Sequence, residues 1–310
     1  MPASRAPSRA ADVRSFADRL AALVEERRSQ VCLGLDPVPG DPPWTGSDRG
    51  LADPRARAAQ AVLAGSLELI ERAGPSCVAV KPQLARFECL GAPGWAALEA
   101  IVGAAHAAGL LVIADGKRGD VPLSAAAYGE AMVGSTTTPW GPVCGLAADA
   151  FTANPLMGGD SLEPLIAAAE RAAAGVFFLV RTSNPGAADV LDLSVEGRPV
   201  HELLAERVAA LAARLRGSGG LSGVGAVVGG TEPGFLDRLR ELMPEAIMLI
   251  PGIGAQGGKA EDVGAAFAPG PSAALVTASR SIATAGDPGA AAEQLRESVW
   301  AAAAAARAGP

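Results

Sequence analysis

The sequence contains three lysines, Lys81, Lys117 and Lys259, while arginine supplies nearly all of its other positive charge. Two of them, Lys81 and Lys117, stand at the ends of short apolar runs. An amine can give up a proton and a guanidinium in practice cannot, so lysine in a chain that otherwise uses arginine suggests proton chemistry. Lys117 sits inside Asp115-Gly-Lys-Arg-Gly-Asp120. On an extended strand end, residues i and i+2 share a face, which groups the Asp115 carboxylate with the Lys117 amine. Gly116 and Gly119 allow a sharp turn there. Carboxylates on both sides favour the ammonium form. Lys117 therefore reads as a positioned proton donor and a poor nucleophile; the competing reading is a salt bridge in a glycine-rich surface turn. Asp36 closes another apolar run, and charge at the end of such a run is rare unless it faces a site.

A second constellation is Pro251-Gly-Ile-Gly-Ala-Gln-Gly-Gly258. It satisfies GxGxxG, a weak signal alone. A dinucleotide fold would place an acidic residue at a strand end about 20 residues later. The next apolar run instead leads into Thr277-Ala-Ser-Arg280. Glycine-rich backbone after a seventh strand with an arginine after an eighth matches the phosphate site of (β/α)8 barrels, with backbone N–H groups and a bidentate guanidinium holding the dianion. A structural turn with an incidental arginine is the alternative.

The elements that must position these groups can be read from periodicity. Apolar runs of strand length occur at Val31–Asp36, Cys77–Lys81, Leu110–Asp115, Ala148–Asn154, Val176–Thr182, Gly223–Val228, Ile247–Pro251 and Ala273–Thr277. Amphipathic helical stretches lie between them, among them Ala58–Arg72, Ala96–Ala108, Leu162–Ala174, His201–Leu215, Gly234–Leu242 and Ala290–Ala305. Eight strands alternating with helices predict an α/β fold, a single-domain (β/α)8 TIM barrel over residues 12–300, with an open doubly wound sheet as the alternative. Residues 1–11 and 301–310 are expected to be disordered or frayed. The loops Pro37–Pro54 and Ser183–Pro199 follow the first and fifth strands and would lie on the catalytic face; the first reads equally as a lid or a tolerated surface insertion, and the second, beside the polar Thr-Ser-Asn cluster, as a lid.

Of the 310 residues, 49% are hydrophobic and 4% aromatic, so the core must rest on Ala, Val, Leu and Ile. A net charge of −7 without a basic tail argues against non-specific nucleic-acid binding. Met1–Ala11 has no apolar h-region, and no apolar run reaches the ~18 residues of a membrane span. The cytoplasm is the expected location. Cys32, Cys77, Cys89 and Cys144 form no CxxC pair and are expected to be reduced, buried and structural. His106 and His201 lack ligand spacing, so structural roles and no metal are expected.

With Asp36, Lys81-Pro-Gln, DGKRGD at Asp115–Asp120, TSNPGA at Thr182–Ala187, PGIGAQGG and ASRSI at Ala278–Ile282, the sequence resembles orotidine 5′-phosphate decarboxylase. The form VKPQ…FE followed by DGKRGD and TSNP is similar to the longer bacterial subgroup. The resemblance covers about Ser15 to Leu295. It implies conversion of orotidine 5′-phosphate to UMP and CO2 in pyrimidine biosynthesis, with no cofactor. It further implies ribose binding by Asp36 and Lys81, and a catalytic array of Asp115, Lys117 and Asp120 joined by Lys81. Ser183 would bind the pyrimidine amide, and Gln256, Gly257 and Arg280 the phosphate. Asp120 and Ser124 would reach the neighbouring subunit's site, which implies a homodimer. Within the same superfamily, a Mg2+-dependent sugar-phosphate decarboxylase or hexulose-phosphate synthase is the competing reaction. Aldolase chemistry through Lys81 and a silent nucleotide-binding protein are weaker readings.

Overall fold

The computed structural model describes residues 14–46, 50–232, 234–254 and 257–308. Eight strands form one closed parallel barrel: β1 (Val31–Leu35), β2 (Ala79–Pro82), β3 (Leu111–Arg118), β4 (Ala150–Ala153), β5 (Gly175–Arg181), β6 (Ser222–Val228), β7 (Ala246–Ile250) and β8 (Ala274–Ala278). Each strand pairs with its neighbours in sequence, and β8 closes on β1 with Val31 opposite Val276. This is the predicted (β/α)8 barrel, with all eight strand positions as the periodicity placed them. Right-handed crossovers between parallel strands put the helices outside, where their apolar faces meet the outward strand residues in the larger core cluster.

Alternation along each strand decides what lies inside. Cys32, Ala79, Leu111, Ile113, Ala150, Phe177, Ile247, Leu249 and Leu275 fill the lower interior in a second cluster. A helix over Phe16–Arg27, absent from the sequence reading, plugs the floor. Ser15 caps it by accepting from the Asp18 N–H at 3.2 Å, and Phe16, Leu20 and Val24 enter the barrel. Phe16 meets Phe177 edge to face at 5.8 Å. Behind this plug, Asp149 is fully buried and accepts from Arg19, from His106 at 2.9 Å and from the Val112 N–H at 2.8 Å. Burial pushes this carboxyl up, but the His106 hydrogen bond and Arg19 outweigh it and hold it below the ordinary carboxylate range. His106 and His201 are thus structural, the latter buried with Nδ1 2.9 Å from the Leu191 carbonyl.

Several details differ from the sequence reading. Cys32 and Cys77 are buried, but Cys89 and Cys144 are exposed: Cys89 ends the short helix Leu84–Glu88, and Cys144 belongs to a hairpin outside the barrel. That hairpin, Ser135–Thr138 with Gly141–Cys144, escaped notice because its Thr- and Pro-rich strands carry no apolar alternation. The last helix, Pro288–Ala308, continues past Ala301 and buries Ala303, where fraying was expected. Residues 1–11 lie outside the described residues. Ahead of the helix Pro54–Ala73, Trp44 is buried against it, with its indole N–H 3.3 Å from Ser66 Oγ. Ser183–Pro199 holds a short helix, Ala188–Leu191, and a small hairpin. Among the described residues no helix is long and apolar enough to cross a membrane.

Between β7 and β8 a 3-10 segment, Ala260–Phe267, stands in place of an α-helix. Arg240 anchors it. Its guanidinium is buried and donates to four carbonyls, those of Met243, Ala246, Ala266 and Ala273, at 2.8–3.0 Å. Burial pulls this arginine down to about 10. Arg240→Leu is expected to cost ~3 kcal/mol in urea denaturation, because the buried carbonyls lose their donors. Arg240→Lys should recover only part, since an ammonium lacks the planar fork; wild-type stability in Arg240→Leu would refute the anchoring role.

Candidate active site

The same alternation that fills the lower barrel with apolar side chains aims polar ones at its carboxyl end. Counting by twos from the interior residues leads to Asp36 just past β1, Lys81 on β2 and Gln83 just past it, Asp115 and Lys117 on β3, Thr152 on β4, and Thr277 on β8 with Ser279 just past it. Most of these line a cavity of about 210 Å3 together with Pro251, Gly252, Ile253 and Arg280.

Asp115 is its centre. Oδ2 accepts from Lys81 Nζ at 2.6 Å, and Oδ1 accepts from Lys117 Nζ at 2.6 Å and from Thr152 Oγ1 at 2.8 Å. The Asp115 and Lys81 side chains are 7% and 8% exposed, whereas that of Lys117 is 45% exposed. Burial pushes the Asp115 carboxyl up, but Lys81 and then Lys117 more than offset it and hold it well below the ordinary carboxylate value. Burial also works against the Lys81 ammonium; Asp115 and Asp36 outweigh it and raise that lysine above its usual value.

The backbone of Lys117 takes φ 48°, a left-handed conformation that a side chain with a Cβ adopts at some cost. Its N–H donates to Thr152 Oγ1 at 2.9 Å, so one threonine fixes both Asp115 and the turn that presents Lys117. Two glycines make the packing possible. A Cβ on Gly119 would lie 2.8 Å from the Asn154 carbonyl oxygen, and one on Gly34 would collide with Ser279 Oγ where the chain after β8 crosses β1.

The predicted residues do not all converge within one chain. Asp36, Lys81, Asp115, Lys117 and Arg280 face the cavity. Asp120 does not line it; its carboxylate accepts from the next N–H, that of Val121, at 2.7 Å. Ser124 is half-buried on the helix Pro122–Val133, away from the cavity. Ser183 packs against Gly229 beyond the end of β6. Gly257 has φ 93°, and its N–H closes a turn onto the Gly254 carbonyl at 2.9 Å. Gln256 lies outside the described residues. Sequence reasoning missed Gln83, Thr152, Thr277 and Ser279 as cavity or array residues. Gln83 could have been found two residues after Lys81 by the rule that paired Asp115 with Lys117; the threonines and serine are too common to stand out. Among the described residues, no cluster of three or more His, Cys, Asp or Glu side chains is suited to a metal.

A closed barrel with a carboxylate bridging two ammonium groups at its carboxyl end defines the class: a (β/α)8-barrel enzyme. The profile of the "Orotidine 5′-phosphate decarboxylase / HUMPS family" matches residues 29–295. The protein of Rhodopirellula baltica named orotidine 5′-phosphate decarboxylase is 41% identical over 271 residues, covering 86% of this chain and 88% of its own. The structure of Leishmania donovani OMP decarboxylase is similar with TM-score 0.71 and 34% identity, over 93% of this chain and 99% of that one. That of Leishmania donovani UMP synthase gives TM-score 0.74 and 35% identity over 94% of this chain, which spans 57% of that longer protein. The chain belongs to the orotidine 5′-phosphate decarboxylase / HUMPS family.

Removing Asp115 would leave Lys81 buried and unpaired. Asp115→Ala is expected to lose about 3–5 kcal/mol of stability at neutral pH, and Asp115→Ala with Lys81→Met to recover much of it. Because the folded carboxyl sits below its unfolded value, its stabilisation is present above ~pH 4 and fades as pH falls. Urea denaturation between about pH 7 and 2 should therefore show a shallower acid limb for Asp115→Asn than for the wild type.

Proposed function

We propose that the protein converts orotidine 5′-phosphate to UMP and CO2, the last step of de novo UMP synthesis, without metal or cofactor. The observation that carries this reading is the Lys81–Asp115–Lys117 array facing the cavity, in a chain 41% identical to a protein named for that reaction. Loss of CO2 breaks the C6–carboxylate bond and leaves the electron pair on C6, where the pyrimidine ring delocalises it poorly. The Lys117 ammonium stabilises the negative charge as it forms and then transfers its proton to C6. Asp115 lies against the departing carboxylate and disfavours it in the ground state. With nearly half its side chain exposed, Lys117 can regain a proton from water after product leaves.

One preorganised charge contributes roughly 3–4 kcal/mol, far from the ~20 kcal/mol that a barrier reduction near the top of the enzymatic range requires. The remainder is assigned to binding energy. Arg280, with Gln256 and the backbone of the Pro251–Gly258 turn, holds the phosphate, and this remote binding drives loop closure and water exclusion. Asp36 and Lys81 hold ribose hydroxyls, and Ser183 holds the pyrimidine amide.

The working site is completed by a second subunit. Asp120 and Ser124 lie outside their own chain's cavity; Val121 and Leu123 beside them in sequence are exposed, as are Leu156 and Met157 on the loop after β4, whose Asn154 packs against Gly119. Such a patch beside a charged turn suits a two-fold interface. The cytoplasm is the proposed compartment, supported by unpaired thiols that include the exposed Cys89 and Cys144.

Consumption of orotidine 5′-phosphate, followed by ultraviolet absorbance in excess EDTA, is the decisive assay. Turnover is expected; its absence, or abolition by the chelator in favour of metal-dependent sugar-phosphate chemistry, would overturn the reading. Lys117→Ala should lose at least ~100-fold in kcat while still binding UMP; near-normal turnover would remove Lys117 from the mechanism. For the shared site, inactive Lys117→Ala and Asp120→Ala proteins are mixed. If Asp120 crosses between subunits, mixed dimers contain one intact site, and activity should return to about a quarter of wild type. No recovery after confirmed subunit exchange would place Asp120 in its own chain's site.

A further inference from the structure

We propose that Arg181 is a positioning residue for the substrate's base: through Asp192 it ties the loop Ser183–Pro199 to the end of β5 and fixes Ser183 where the pyrimidine binds. The inference rests on the nucleotide reading above and adds to it a residue that does not line the cavity.

Arg181 is the last residue of β5 and is buried. Its guanidinium holds both ends of the span that follows. Nη1 donates to the Thr182 carbonyl at 2.7 Å. Nη2 donates to Asp192 Oδ2 at 3.1 Å, and Nε lies 3.0 Å from Asp192 Oδ1. Between these points the chain is extended at Asn184, as is usual before a proline, turns at Pro185–Ala187 and forms the short helix Ala188–Leu191. The far end is held a second time. His201 Nδ1 lies 2.9 Å from the Leu191 carbonyl oxygen and 3.2 Å from Asp192 Oδ1. Phe235 backs the cluster, with its ring centre 4.8 Å from the guanidinium carbon and 5.0 Å from the His201 ring. Ser183 falls inside this closed span. It packs against Gly229, whose N–H donates to the Arg181 carbonyl at 2.8 Å.

A buried ion pair adds little to stability over apolar side chains of the same volume, so its placement has to be explained by what it orients. Arg240 grips carbonyls of the scaffold around β7. The acceptors around Arg181 are different: Thr182, Asp192 and, at 3.6 Å, Glu232 all lie on the connections that follow β5 and β6. None belongs to a strand or to a helix that covers the barrel. The effect of Arg181 is therefore confined to the mouth, where Ser183 stands. A guanidinium set side-on to a carboxylate fixes orientation as well as distance. Without that link the span would have to be ordered when the nucleotide binds, at a cost in affinity.

The test compares the dissociation constants of UMP and of ribose 5-phosphate, which has the sugar and the phosphate and no base. Arg181→Met removes the guanidinium. Asp192→Asn removes the charge from a partly exposed loop residue and leaves the barrel intact. Affinity for UMP is expected to fall roughly tenfold in Arg181→Met and at least about threefold in Asp192→Asn, while ribose 5-phosphate stays within about twofold of wild type in both. The double variant should lose no more UMP affinity than Arg181→Met alone, because the two side chains act as one link. An equal loss for both ligands would make the link a general structural one, and unchanged UMP affinity in both variants would separate it from the site; either result overturns the proposal. Failure of the wild type to bind UMP would instead overturn the nucleotide reading on which it stands.

Discussion

A carboxylate shared between two ammonium groups sets the terms for the rest of the molecule. Asp115 is buried, and so is one of its two lysine partners, Lys81. Moving either charge out of water alone would cost several kcal/mol, so each is tolerable only with the other in place. The fold must therefore deliver β2 and β3 side by side, in a register that brings Lys81 Nζ to Asp115 Oδ2. It does so through a short parallel pairing, Ala79 with Leu111 and Val80 with Val112, below the point where the two charges meet. Thr152, from the strand on the other side of β3, then satisfies the remaining carboxylate oxygen together with Lys117.

The barrel solves two problems with one periodicity. Inward residues must be apolar below, where Phe16 and its helix close the floor, and polar above, where the cavity opens. Within β3 the change occurs in a single step, from Ile113 to Asp115. The apolar lower layers exclude water from beneath the array, which strengthens the ion pairs above them. The buried Asp149 cluster beneath the opposite face shows the same economy: a charge appears in the interior only where several donors surround it.

Much of this was legible in the sequence, for reasons that can be named. Each parallel strand is covered on both faces, so it reads as a continuous apolar run, and a charge at the end of such a run is conspicuous. That is why Asp36, Lys81, Asp115 and Lys117 could be picked out and why all four reach one cavity. The helix Phe16–Arg27 was not legible as a plug, because an amphipathic helix does not say which end of a barrel it will cover. Cys89 and Cys144 were misjudged because burial was inferred from residue type, whereas both fall where the chain leaves the packed layers. Gln83 was overlooked because an uncharged amide after an apolar run looks like the start of a surface loop, although its spacing of two from Lys81 puts it on the face that lines the cavity. Asp120 and Ser124 show a different limit. Their positions follow from the DGKRGD turn and the helix after it, but whether they serve a site depends on a second chain that one sequence does not contain.

The two lysines on Asp115 divide the work by their surroundings. Lys81 is buried, and its neighbours Asp115 and Asp36 raise it above the ordinary lysine value, so it is poorly suited to giving up a proton. Its contribution is a fixed positive charge that keeps Asp115 ionised and in place. Lys117 projects from a left-handed turn at the mouth of the cavity, with its side chain 45% exposed and its backbone pinned by Thr152. The proton transfer proposed above would use this arrangement, rigid at the backbone and open to water at the amine. An arginine at position 117 could be aimed in the same way but would not release its proton, and a lysine buried as deeply as Lys81 could not readily regain one. The strained turn at Lys117 is thus the local cost of placing a second ammonium on a carboxylate that the barrel has already paired.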